Sequence, residues 1–374
     1  MHLTEVLRQK QTDSLRHMYQ TLLYAIRCAL WKKPYKESIS ANAFTKTLAM
    51  AKEQTVMGLV FDVLKDVKID GPFNKAHLFE TIGLTEQIKH QNAIINRELN
   101  SFANRSQDAG LKYLVVKGQT IGCLYANPRL RATGDIDFLI PEYLNGNLDF
   151  NRVFTDVEIP KRISEKEYGF DSNGVTYELH TRLIDFGCKK HQKVWENLIA
   201  EEWGKNYFVE IDGVKVRTLS PTVNAVYLFL HLYFHLIREG VSLRQFCDWA
   251  IMLHHYRNEI DRDALKGILL QLDMIRGYKA FGTILIDELG LPEEDFPLSL
   301  ADEDRGMKGK ILEDIFKGGN FGKHNHKARS AIGFKFETFC MAVNNSIRYY
   351  SLAPSEMRMM IPKMMRINIK LLIS

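Results

Sequence analysis

Gly134-Asp135-Ile136-Asp137-Phe138-Leu139-Ile140-Pro141 is the stretch on which the fold reading turns. It is short, apolar apart from its two acids, and closed by proline, so it predicts a strand over residues 133–140. Side chains two apart on a strand share a face. Asp135 and Asp137 therefore project together, with Ile136 and Phe138 on the opposite side. Two carboxylates on one face of such a strand repel each other and resist desolvation. A divalent cation removes that conflict, and hard oxygen donors suit Mg²⁺ or Mn²⁺. The plainer assignment is a pair of solvated aspartates at a strand end, because Asp-x-Asp is a common pattern.

The surrounding sequence supplies context. Leu111 to Val116 is β-branched and apolar and ends at Lys117-Gly118, a strand followed by a turn. Glycine directly after a strand lets the backbone approach a phosphate, and a helix start behind it favours anions. Gln119 to Ala126 predicts a short helix, stopped by Asn127-Pro128. Arg131 stands four residues before Asp135. Gly174 to Leu183 alternates as a third strand, in which Glu178 and His180 share a face. Tyr207 to Leu219 reads as a hairpin turning at Asp212-Gly213.

Helical spacing dominates on both sides of this segment. Thr12 to Leu30, Ala41 to Val67 and Leu84 to Phe102 carry apolar residues at helical intervals, the last stopping near Asp108-Ala109-Gly110. No β-like alternation interrupts them. After Ser220-Pro221, a predicted N-cap and first helical residue, helices follow over 222–239 and 242–256. The expectation is an α+β chain in three parts: a helical region over 1–108, a small mixed-sheet core over 109–220, and a helical region over 221–374.

Bulk properties limit the function classes. The 374 residues include 45% hydrophobic and 25% charged side chains, with a formal charge of +5. These values are ordinary for a globular protein and do not by themselves indicate nucleic-acid binding. The five cysteines are scattered without a Cys-x-x-Cys pair, which predicts free thiols rather than a disulfide framework or structural zinc. The longest apolar run, Ala225 to Ile237, contains His231 and His235 and is too short to span a bilayer. A cytoplasmic protein with no membrane span is the expectation.

The joint pattern is more specific than its parts. Val116-Lys117-Gly118, Leu124-Tyr125, Arg129 to Arg131, Gly134 to Ile140 and Glu178-Leu179-His180 resemble the nucleotidyltransferase superfamily related to DNA polymerase β. More narrowly, they resemble an uncharacterised bacterial nucleotidyltransferase family. The order Lys-Gly, Arg, Asp-x-Asp is similar to that of the nucleotidyltransferase toxins of abortive-infection systems. The motif-bearing span is roughly residues 110–250. One departure stands out: most superfamily members have Gly-Ser or Gly-Gly at the turn, whereas here it is Gly118-Gln119.

The resemblance implies roles. Asp135, Asp137 and Glu178 would be the catalytic carboxylates and would hold two Mg²⁺ (or Mn²⁺) ions, with Glu178 helping to activate the acceptor hydroxyl. Gly118 and Gln119 would touch the nucleoside triphosphate, and Lys117 and Arg131 would offset its charge. His180 and His235 would stand behind the ligands. The implied partners are an NTP and an acceptor that is a small molecule, a protein or an RNA. Two alternatives share the fold: a catalytically silent nucleotide- or partner-binding module, and a toxin acting on tRNA or protein.

Structural assignments compete with these roles. Lys117 would simply end a strand in solvent, and Arg131 would pair with Asp135 or Glu142. His231 and His235, at i and i+4 without a His-Glu-x-x-His pattern, would fill a packed interface. Arg244 and Asp248 would form a helix salt bridge. Phe321 to Arg329, with its two histidines and three basic residues, reads as a solvated loop or a phosphate-facing one. The Met- and Arg-rich stretch Met357 to Arg366 reads as a terminal helix interrupted at Pro362, with methionines filling core gaps.

Overall fold

The computed structural model describes residues 19–141, 153–154, 161–163, 166–318 and 331–373. The start of the Thr12 helix, Glu142 and the Phe321 to Arg329 loop lie outside the described residues. The architecture is α+β, a mixed five-stranded sheet flanked by helices.

After a helical stretch over 19–30, the chain forms β1 (Ile39–Ser40), α1 (Ala41–Glu53), α2 (Met57–Leu64), β2 (Ile69–Asp70) and the long α3 (Lys75–Asp108). β1 and β2 pair in parallel through two residues each. Sequence alternation cannot announce a pairing that short. At 34 residues, α3 is about 50 Å long, starting at Asn74, whose side chain accepts from the Ala76 amide.

The central sheet comprises β3 (Leu114–Val116), β4 (Ile136–Leu139), β5 (Lys161–Arg162), β6 (Glu167–Ser172) and β7 (Val175–His180), in the order β3-β4-β7-β6-β5. β4 and β7 are parallel; the other neighbours are antiparallel. β5 and β6 were not expected from the sequence, because Glu167-Tyr168-Gly169-Phe170-Asp171-Ser172 carries glycine and acids and gives a weak strand signal. A separate hairpin, β8 (Phe208–Ile211) with β9 (Val214–Arg217), turns at Asp212-Gly213 as its sequence predicts.

Between β3 and β4 lies α4 (Gly118–Gly122), and before the hairpin lies α5 (Lys189–Glu202). The second half of the chain holds α6 (Pro221–Arg238), α7 (Leu243–His255), α8 (Arg262–Gln271), α9 (Ile275–Asp287), α10 (Lys308–Gly318), α11 (Ala331–Arg348) and α12 (Pro354–Ile373). Most of α6 is buried on all sides, which suits a helix at the centre of a core rather than at its surface. Ser220 does not cap it with its side chain; that hydroxyl donates to Glu202 at 2.9 Å. Ser242 and Gln245 form a reciprocal capping box at the start of α7. α12 continues through Pro362 rather than breaking there. Met357 and Met360 on it are buried, and Met364 packs against the core.

Strand parity sorts the sheet into two faces. Val115, Ile136, Phe138, Tyr177 and Leu179 meet Ile95, Leu99 and Phe102 of α3. Leu114, Val116 and Leu139 join the larger core with α6 and α7. α3 starts among the N-terminal helices yet covers the sheet, so apolar packing is continuous across residue 108. The polar end of the second face carries the candidate site. Among the described residues no helix is long and apolar enough to cross a membrane.

Candidate active site

Register assembles the acids. Val116 stands opposite Asp137, and Asp137 stands opposite Glu178 across the parallel β4–β7 pair. Gly169 lies opposite Glu178 on the next strand, and the Ile163 side chain packs over the space its missing Cβ leaves. His180, two residues after Glu178, faces Glu167. One oxygen each of Asp137 and Glu178 and one nitrogen of His180 lie within 4.8 Å of one another. Asp135, just before β4, lines the same pocket. This pocket, about 330 Å³, is closed on its far side by Leu228, His231, Phe234 and His235 of α6.

Asp137 is buried, and its Oδ1 is shared. Lys117 Nζ lies 2.9 Å from it and His180 Nε2 lies 2.7 Å from it. An ionised carboxylate only accepts, so Nε2–H of His180 is the donor. Burial alone would raise the Asp137 pKa, but the Lys117 ammonium and the His180 bond hold it well below the usual carboxylate range. Lys117 in turn stays above the ordinary lysine value despite its burial, because Asp137 faces it. This lysine, which the sequence left between solvent and phosphate, points inward. Its backbone has φ +57°, a left-handed value costly for a residue with a Cβ, and Gly118 follows at φ +47°. The chain thus reverses sharply after β3, with both residues on the pocket wall.

The other two acids behave oppositely. The negative charge of Asp137, then burial, raises the Asp135 pKa. Burial, then the charges of Asp137 and Asp135, pushes Glu178 up to about 8. The three carboxylates therefore carry more negative charge than Lys117 neutralises. That excess, on oxygen donors around an open pocket, fits a divalent cation; the Lys117 ammonium already occupies one such position electrostatically.

The remaining predicted residues fall in varied places. Gln119 does not line the pocket: its buried amide donates to Asn92 at 3.2 Å and to Asn96, and its carbonyl accepts from Thr133 at 3.1 Å. Arg131 lines the pocket but is held by Asp248, with Nε and Nη2 each 2.7 Å from a separate carboxylate oxygen. Asp248 also accepts from the Tyr125 hydroxyl at 2.8 Å. The expected helix salt bridge of Asp248 with Arg244 is thus replaced by a longer-range one. His235 lies on the pocket wall, its Nδ1 3.2 Å from Glu239. His231, whose ring centroid lies 4.3 Å from that of His235, is on the wall as well, and burial and then the Lys117 charge hold its pKa well below the ordinary histidine value.

Sequence reading missed Glu167, Lys166 and the Asn92–Asn96 pair, and it gave Asp248 the wrong arginine as partner. Asp248 had a signal, an acid in an otherwise apolar helix segment, but its partner lies 117 positions away. Asn92 and Asn96 sit on α3 at i, i+4 and carry no motif.

Comparison with known proteins adds a family. The family model described as "Uncharacterised nucleotidyltransferase" matches residues 40–281, from the start of α1 into α9 and well beyond the motif-bearing span. A solved structure, an antigenic nucleotidyltransferase-like protein from Paracoccidioides brasiliensis, is similar at 16% identity, covering 53% of this chain and 93% of that chain with a TM-score of 0.34. No curated protein matches the chain.

Proposed function

Because the chain belongs to the uncharacterised nucleotidyltransferase family, we propose that it transfers a nucleoside monophosphate from an NTP to an acceptor hydroxyl at the Asp135–Asp137–Glu178 pocket. The observation that carries this reading is the β4–β7 register, which sets Asp137 beside Glu178 with Asp135 in the same pocket. Mg²⁺ or Mn²⁺ held by these carboxylates would supply charge neutralisation at the phosphate oxygens and the acceptor.

The chain's own groups then divide the work. Asp135, Asp137 and Glu178 would hold the cation. His180 donates to Asp137 and fixes its orientation, while Glu167 stands 3.5 Å behind His180. Burial and the charges of Asp137 and Asp135 keep Glu178 largely protonated without metal; a cation that offsets those charges would ionise it, and the carboxylate could then take the proton of the acceptor hydroxyl. The left-handed Lys117–Gly118 turn brings backbone close to the triphosphate. Lys117 neutralises Asp137 until substrate arrives, and then shares its charge with the phosphates. Gln119 supports the turn from beneath through Asn92 and Asn96, so its contribution to the nucleotide is positional. The buried Arg131–Asp248–Tyr125 cluster fixes the chain leading into β4.

The test is pyrophosphate release from each of the four NTPs with Mg²⁺, comparing wild type with Asp135→Ala and Asp137→Ala. Release that both substitutions abolish is expected. Absence of both release and nucleotide binding at millimolar concentrations would sink the reading. A silent nucleotide-binding module is favoured by one observation: Lys117 and His180 already satisfy Asp137 Oδ1. In that case nucleotide would bind without turnover, and Asp137→Asn would leave binding unchanged.

A further inference from the structure

Two arginines line the pocket, and they differ in what holds them. Arg131 is 3% exposed, with both oxygens of Asp248 engaged by its guanidinium. Arg244 comes from the first turn of α7 and makes one hydrogen bond, Nη1 to the Ala132 carbonyl at 2.9 Å. Its Nε–H is buried and has no hydrogen-bond partner among the described residues. Among those residues it also forms no ion pair within 4 Å, whereas Lys117 and Lys166 pair with Asp137 and Glu167. Asp248, four residues along the same helix, would be its local partner, but Arg131 has taken it.

A guanidinium with unused donors in a semi-enclosed pocket is costly unless a ligand completes it. Burial, followed by the charge of Arg131, disfavours its protonated form despite the nearby charges of Asp248 and Asp135, so an anion meeting its free donors would be stabilising. The planar fork of arginine matches phosphate oxygens two at a time. Ala132, to which Arg244 is bonded, lies three residues before Asp135, and Arg244 and Asp135 line the same pocket.

We infer that Arg244 forms a phosphoanion subsite in this pocket, binding a phosphate group of the nucleotide or of a phosphorylated acceptor. The inference rests on the pocket being the nucleotidyl-transfer site proposed above, and it assigns to Arg244 the charge-offsetting role that the sequence suggested for Arg131.

Calorimetric titration with inorganic orthophosphate, pyrophosphate and tripolyphosphate, each with Mg²⁺, tests it on wild type, Arg244→Met and Arg244→Lys. Arg244→Met keeps the apolar stem and helix propensity while removing the fork, and should weaken tripolyphosphate about 10- to 100-fold, the range for a lost charged hydrogen bond. Arg244→Lys should recover part of the loss. A loss that grows with phosphate chain length identifies the donor triphosphate; an equal loss for orthophosphate identifies a phosphorylated acceptor. Both support the subsite. Unchanged affinity for all three anions in folded Arg244→Met, or no binding of any of them by wild type, overturns it. Should Arg244→Met fail to fold by circular dichroism, Arg244→Lys decides alone, because unchanged affinity there overturns the assignment too. If wild type releases no pyrophosphate from NTPs but Arg244→Met still loses tripolyphosphate, the transfer reading falls and the subsite stands.

Discussion

Among the described residues, two carboxylates buried against buried histidines, Glu356 with His191 and Asp137 with His180, differ in how their charge is balanced. At the first, Glu356 of α12 is fully buried and accepts from the amides of Gly187 and Cys188 and from His191 Nδ1 at 3.1 Å. Every one of these partners donates, and among the described residues no second acid contacts Glu356. It ties α12 to the segment ahead of α5, where Lys363 adds a 2.6 Å contact to Asp185. At the second, Asp137 has comparable donors in Lys117 and His180, but Asp135 and Glu178 crowd beside it. Burial of a carboxylate is therefore no mark of function. The distinguishing feature is the surplus of acid over donors, and its location on an open pocket rather than in a helix joint.

The largest effect that would sharpen this contrast is catalytic. Asp137→Ala should lower pyrophosphate release on the order of a thousandfold, measured under saturating NTP and Mg²⁺. A loss below tenfold would put the site on a level with the Glu356 joint. Next comes Glu356→Ala, which leaves three donors without an acceptor. It should cost about 3–5 kcal/mol in urea unfolding at pH 7, with the Mg²⁺ response of the folded fraction retained. A cost under about 1 kcal/mol would show that the joint is not the structural counterpart described here.

Glu178 gives the pH test. Its folded-state pKa, about 8, lies above the unfolded value, so its ionisation opposes folding. Metal-free stability should be fully present at pH 4 and fall as pH rises towards 8. Glu178→Gln should remove that slope, with a gain on the order of 1 kcal/mol at pH 9 and none at pH 4. A divalent cation opposes the same loss, so the thermal shift produced by Mg²⁺ should be larger at pH 8 than at pH 6. Equal shifts at both pH values would break the link between the acid surplus and metal binding. The smallest effect concerns Gln119. Gln119→Ala should cost about 1 kcal/mol through its lost amide bonds, while tripolyphosphate affinity changes less than about threefold. A tenfold affinity loss at unchanged stability would return the Gln119 side chain to the phosphate.

Legibility in the sequence followed the range of the interaction. Strand parity set Asp135 with Asp137 and Glu178 with His180, because a period of two is a local property. The Asp212-Gly213 hairpin and the helices around Trp249 were equally readable, through turn chemistry and capping. β6 was not, since its pairing with β7 overrides a weak intrinsic strand tendency. Nor was the covering of the sheet by α3, whose Ile95, Leu99 and Phe102 look like any helical stripe until a partner surface is present.

By itself, then, the sequence determined which side chains travel together along each strand and helix, Asp135 with Asp137 and Glu178 with His180, while the β4–β7 register set Glu178 beside Asp137. Tertiary structure alone decided their electrical environment. It turned Lys117 inward onto Asp137, gave Asp248 to Arg131, and so left Arg244 facing the pocket. Those choices depend on distances between segments separated by tens to hundreds of residues, and charge pairing in a buried site is settled by proximity and desolvation rather than by spacing along the chain.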